Sequence, residues 1–170
     1  MKKRILLTSF DTWLSDQQSN SSDDLLLEVT KVDSLPHDLN FLRLLPVDVQ
    51  LASSQVIQKI TEFQPDYIIC CGMAERRTQL SIEVVASCKE SVLQTTVDLE
   101  QLILGAKAID ISHDCGKFVC EGLYYSVLNY LLQNQLTACC IFVHVPVLTS
   151  ENLAVTIADF VLIINRLALS

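Results

Sequence analysis

Positive charge is scarce in this chain: 12 Lys and Arg face 20 Asp and Glu, a net charge of −8 at pH 7. A field of that sign repels phosphates, which argues against nucleic acid and an anionic membrane surface as general partners. The two basic clusters, Lys2-Lys3-Arg4 and Arg76-Arg77, are too short to be footprints. There is no CxxC and no Cys/His spacing of the zinc-site kind, so neither a metal nor an organic cofactor is implied. Long apolar runs are missing too. The basic start is followed by too few apolar residues for a signal-peptide core, and no stretch is long enough to span a bilayer. The 7 cysteines are an odd number and cannot form a complete disulfide framework. A reducing cytoplasm is the expected compartment.

What is present is a foldable core. Half of the 170 residues are hydrophobic and 19% are charged, enough for one domain over residues 1–170 without staples. No internal repeat or linker divides it. Ile5–Thr8 reads as a buried strand, and Ser15–Ser22 as a polar loop ending in a helix cap. The helix after it carries Asp23 and Asp24 in its first turn and runs to about Val32. Phe41–Leu45 is a second strand stopped by Pro46. Asp48–Phe63 repeats apolar residues at helical spacing. Tyr67–Cys71 is a buried strand closed by Gly72, and Leu80–Ala86 alternates like an edge or antiparallel strand. A short helix over Val97–Leu104 stops at Gly105, and Ala108–Ile111 is another strand. Phe118–Leu132 is the clearest helix, Ala138–Val145 a strand ended by Pro146, and Ser150–Leu167 the last helix. Strands alternating with helices predict a three-layer α/β fold, a mostly parallel twisted sheet with helices on both faces. Cys70-Cys71 and Cys139-Cys140 lie within its strands, where a thiol packs as a small hydrophobe.

Ligands of open α/β sheets gather at the carboxyl ends of strands, which draws attention to Phe10–Trp13, Gly72–Arg77, Ser112–Cys120 and His144–Pro146. Cys120 falls in the first turn of the clearest helix, where the dipole favours a thiolate; it also fits that helix's apolar face as a core thiol. His144, near the end of an apolar strand, is either a hydrogen-bonded core residue or a base. Glu83 interrupts an apolar segment and either faces solvent or pairs with a buried cation.

Taken together, these positions resemble a known family. The segment GMAERRTQLSIEVVA (Gly72–Ala86) resembles the G-x-A-G-G-R…E-R-V-A stretch of pyroglutamyl peptidase I. CGKFVCEGLYY (Cys115–Tyr125) is similar to A-G-T-x-x-C-N-x-x-x-Y, and IFVHVPVL (Ile141–Leu148) to F-I-H-V-P. The opening ILLTSFDTW and LLPVDV (Leu44–Val49) match in the same order. The resemblance implies a cysteine peptidase that removes an N-terminal pyroglutamyl residue. Cys120 would be its nucleophile, His144 its acid and base, and Glu83 the carboxylate orienting the imidazole. By position, Phe10, Trp13, Met73 and Phe118 would hold the substrate. Backbone near Gly72, Ala74 and Arg77, and at Cys120, would bind the substrate carbonyl and oxyanion. The expected partner is a peptide or small cyclic amide, and a homo-oligomer is compatible with the family.

The pattern also departs from the family. Glu75 and Arg76 replace glycines, Met73 replaces Gln, Val84 replaces the arginine after the glutamate, and Glu121 replaces Asn beside the nucleophile. Thr78–Thr96 is shortened, and Trp13-Leu14-Ser15 stands where the family has glycines. A second reading therefore stays open: a non-catalytic or altered-specificity relative that binds a small ligand or a protein partner.

Overall fold

Strand β1 forms because an unbroken apolar run follows the charged amino terminus. In the computed structural model, which describes residues 1–170, it spans Arg4–Phe10 with six consecutive buried residues. The elements that follow are α1 (Ser21–Val29), β2 (Asp38–Leu45), α2 (Val49–Phe63), β3 (Tyr67–Met73), β4 (Leu80–Glu83), β5 (Val85–Cys88) and β6 (Ser91–Gln94). The chain then continues through α3 (Leu99–Leu102), β7 (Ile109–Ser112), α4 (Val119–Gln133), β8 (Cys139–Val145) and α5 (Leu153–Leu167). Six strands make one sheet in the order β2-β1-β3-β8-β4-β7; β5 and β6 form a separate hairpin. β2, β1, β3 and β8 run parallel, and β4 pairs antiparallel with β8 and parallel with β7.

Period-two alternation divides the core into two layers. Ile5, Leu7, Ile69, Cys71, Ile141 and Val143 face α1 and α5, while Leu6, Ile68, Cys70, Cys140 and Phe142 face α2 and α4. This is the expected α/β sandwich. Positions Phe10, Gly72, Ser81, Glu83 and His144 share the parity of the α2/α4 layer, so the sheet turns them toward the helix that carries Cys120. Buried polar pins hold the margins. Asp23 receives a two-pronged hydrogen bond from Arg43 at 2.8 Å and another from Ser9 at 2.7 Å, tying α1 to β1 and β2. Asp159 of α5 accepts the N–H groups of Lys107 and Ala108 ahead of β7.

Several boundaries differ from the sequence reading. α1 ends at Val29, and β2 begins at Asp38 because the pairing with β1 starts there. β3 continues through Gly72 to Met73, still paired with β8. Leu80–Ala86 is not one strand: it breaks at Val84 into β4 and the start of the hairpin. β4 is antiparallel to β8 as its alternation suggested, but it lies inside the sheet, with β7 outside it. Only Leu99–Leu102 of the third helix is helical.

Gly72 marks a close approach of sheet and helix. A Cβ there would lie 2.5 Å from Cys120 Sγ and 2.9 Å from Phe142 Cζ. Gly72→Ala gains about 0.5–1 kcal/mol of backbone propensity. Overpacking costs about 1–3 kcal/mol and outweighs it. A lowered urea midpoint with an unchanged slope is expected; a midpoint at or above that of the parent would show that the thiol is not held against this glycine.

Candidate active site

Glu83 occupies the end of β4 with no exposed surface. Because β4 runs against β8, its final residue pairs with Phe142 rather than emerging at the upper rim, and its carboxylate lies beneath His144. Glu83 Oε1 is 2.7 Å from His144 Nδ1 and 2.6 Å from Arg77 Nη1. Arg77 comes from the loop between β3 and β4 and also donates to Ser112 Oγ and the Asp114 carbonyl. Its guanidinium supplies the opposite charge that a buried carboxylate needs. Tyr124 of α4 donates its hydroxyl to the Glu83 carbonyl at 2.9 Å, fixing the strand end against the helix. With Nδ1–H directed at Glu83, the imidazole keeps Nε2 as its free acceptor.

Cys120 lies in the first turn of α4. Phe118, the capping residue, makes no side-chain cap hydrogen bond, and the N–H groups of Val119, Cys120 and Glu121 have no acceptor in another residue. The helix terminus lowers the thiol pKa through the Cys120 N–H, but that effect is outweighed. Burial pushes Cys120 up to about 12, with the Cys70 thiol and the Glu83 carboxylate adding to it. The magnitudes explain the outcome: a helix end contributes at most about 2 kcal/mol, whereas burial shifts a pKa by up to about 3–5 units. Glu121 does not aim at the thiol either, because its carboxylate accepts the Ser87 N–H at 3.3 Å.

A cavity of about 540 Å³ opens between these elements, lined by Cys120, His144, Cys115, Phe10, Trp13, Met73 and Phe118 among others. All four side chains expected to hold a substrate therefore converge with the thiol and the imidazole. Phe10 is buried, whereas Trp13 and Phe118 stand exposed at the rim. The backbone assignments fare less well. The Ala74 N–H is committed to the Val145 carbonyl at 2.9 Å and the Arg77 N–H to the Ala74 carbonyl at 3.1 Å, so neither is free for an oxyanion. Arg77 acts through its side chain on Glu83, and Gly72 provides room for the thiol. The unsatisfied donors are those of α4.

One residue escaped the sequence reading. Cys115, 5% exposed in the loop between β7 and α4, brings its Sγ within 4.8 Å of a ring nitrogen of His144 and a carboxylate oxygen of Glu83. It lies in the strand-end segment Ser112–Cys120, but nothing in its spacing sets it apart there. Gly116 follows it at φ +85°, a backbone that side-chain-bearing residues rarely adopt, and so turns the chain toward α4.

Truncating Arg77 to Ala leaves Glu83 buried beside an imidazole alone. A stability loss of about 2–4 kcal/mol is expected in urea denaturation, the upper end of the buried-pair range being discounted because the Arg77 side chain is 29% exposed. Arg77→Lys should recover only part of it, since an ammonium lacks the planar fork. Unchanged midpoints in both variants would contradict this role.

No protein-family model matches the chain. It is 25% identical over 171 residues to a pyrrolidone-carboxylate peptidase of Thermoanaerobacter sp. (strain X514), covering 85% of this chain and 83% of that one. A pyrrolidone-carboxylate peptidase of Pseudomonas fluorescens is also 25% identical, over 177 residues, with 86% and 80% covered. Among solved structures, pyroglutamyl peptidase I of Bacillus amyloliquefaciens superimposes with a TM-score of 0.87 at 19% identity, over 99% of this chain and 98% of that one. The pyrrolidone carboxyl peptidase of Thermococcus litoralis gives 0.81 at 17% identity, over 98% and 93%. In fold over nearly its whole length, and in sequence over most of it, the chain is similar to the pyrrolidone-carboxylate peptidases.

Proposed function

We propose that this protein is a cysteine peptidase that removes an N-terminal pyroglutamyl residue from peptides, with Cys120 as nucleophile, His144 as base and acid, and Glu83 as the orienting carboxylate. The observation that carries this reading is the 2.7 Å contact of His144 with a fully buried Glu83 at the wall of a cavity that also exposes Cys120. His144 Nε2 takes the Cys120 proton as sulfur attacks the amide carbonyl. The oxyanion draws on the free N–H groups at the start of α4. His144 then returns the proton to the leaving amine, and water hydrolyses the thioester to release the acid and the thiol. A thiol held near pKa 12 is protonated at rest, so the base must act during attack.

The cavity fits a lactam better than an ordinary peptide amino terminus. Nine of its twelve lining residues are hydrophobic and none is acidic, so nothing there pairs with an α-ammonium. A pyroglutamyl ring is uncharged and compact, and it suits a concave site with few polar groups. Cys120 is preferred to Cys115 as nucleophile because burial and the neighbouring Glu83 push the Cys115 thiol still higher. The open N-terminal turn of α4, whose N–H groups have no acceptor in another residue, also supports Cys120. Seven unpaired cysteines suit a reducing compartment.

Release of a chromophoric amine from a pyroglutamyl amide tests the proposal. Cys120→Ala should lower kcat/KM by at least about 10³-fold with the fold retained. Glu83→Gln should lower kcat by about 10⁴-fold through loss of the correct tautomer. Parent protein that is folded and inactive on this substrate, or a fully active Cys120→Ala, would overturn the reading.

A further inference from the structure

The mechanism makes no use of Cys115, although it is the thiol that joins Glu83 and His144 in one buried cluster. One ligand atom from each of the three lies within 4.8 Å of the other two. The three come from different parts of the sheet: Glu83 from the end of β4, His144 from β8 on one side of it, and Cys115 from the loop after β7 on the other. A second observation points to a ligand. Glu83 Oε2 is buried with no hydrogen-bond partner, because Arg77 and His144 both engage Oε1. A buried carboxylate oxygen without a partner is costly, and native proteins rarely leave one.

We propose that Glu83, Cys115 and His144 form a binding site for one zinc-class divalent cation, with the fourth coordination position open toward the cavity. The donor set selects the metal. A thiolate, an imidazole and a carboxylate suit zinc, whereas magnesium and calcium take oxygen alone. Bond lengths of about 2.0–2.3 Å on a tetrahedral ion put ligand atoms about 3.3–3.8 Å apart, so the cluster closes on a cation by side-chain shifts of about 1 Å. The charges suit it as well: coordination deprotonates the Cys115 thiol, and that thiolate with the Glu83 carboxylate offsets the ion beside Arg77. Three protein ligands and one open position is the arrangement of an accessible zinc site. On the peptidase reading above, the ion draws His144 away from Cys120, so the loaded form is inactive. The binding itself does not depend on that reading.

The experiment is an anaerobic titration of the full chain with Co²⁺, followed by absorbance, then back-titration with Zn²⁺. One equivalent of Co²⁺ should produce an intense thiolate-to-cobalt charge-transfer band, and one equivalent of Zn²⁺ should abolish it. Cys115→Ser, which preserves volume, should bind at least about 100-fold more weakly, beyond the loss usual for an outer-shell partner. Cys120→Ala and Cys88→Ala should keep the band. Cys115→Ala serves as a second variant should the serine chain not fold. A parent chain without the band overturns the proposal. So does a band that survives in a folded Cys115 variant or vanishes with Cys88 or Cys120. Because the readout is absorbance, a chain without amidase activity tests the site equally well.

Discussion

Burial of the Glu83 carboxylate is the constraint from which the rest of the site follows. An isolated charge in that position would cost several kcal/mol, so it has to be matched. The chain matches it with Arg77 from one neighbouring loop and His144 from the adjacent strand, both on Oε1. Those contacts fix the imidazole in one orientation and one tautomer, with its other nitrogen free at the cavity wall. The antiparallel run of β4 makes this geometry available. A strand parallel to β8 would deliver its last residue to the rim, where water would solvate it, rather than beneath the imidazole.

The departures from the family pattern concentrate away from this constraint. Val84 packs against the α1/α5 core layer, where a hydrophobe is suited. Glu121 turns to the β5–β6 hairpin, so the carboxylate next to Cys120 in sequence is directed away from its thiol. Met73 lines the cavity and brings its sulfur 3.5 Å from the Ser21 N–H. Of these three substitutions only Met73 changes the wall of the cavity, and the Glu83–His144 contact and the approach of Cys120 to Gly72 remain in place.

The fold and its layers were readable because periodicity is a strong signal: the runs at β1, β3 and β8 and the helical spacing of α2 and α4 all form the elements they suggest. The hairpin was not. Val85–Cys88 and Ser91–Gln94 turn through Lys89 at φ 54° without an Asn-Gly or Asp-Gly to mark it, and the alternation of β4 runs on across Val84 without a break. Cys120, His144, Glu83, Phe10, Trp13, Met73 and Phe118 were singled out through strand-end positions and family resemblance, and the cavity gathers all of them except Glu83, which stands behind its wall. Arg77 was singled out for its backbone, whereas it is its side chain that stands beside Glu83 as the cation. Cys115 went unnoticed because its partners are brought to it by strand order, which linear spacing does not encode. The burial that raises the Cys120 pKa is likewise a property of the packed layers, not of the helix position alone.

The identity of the thiol that attacks the substrate is the most direct test. Acid quenching during turnover of an activated pyroglutamyl ester, followed by trypsin and mass spectrometry, locates the acyl group. Trypsin cuts after Lys117, so Cys115 and Cys120 fall in different peptides. The account predicts a pyroglutamyl thioester on the peptide that begins at Phe118 and contains Cys120. An acyl group on the Cys115 peptide, or turnover with neither thiol acylated, would contradict it.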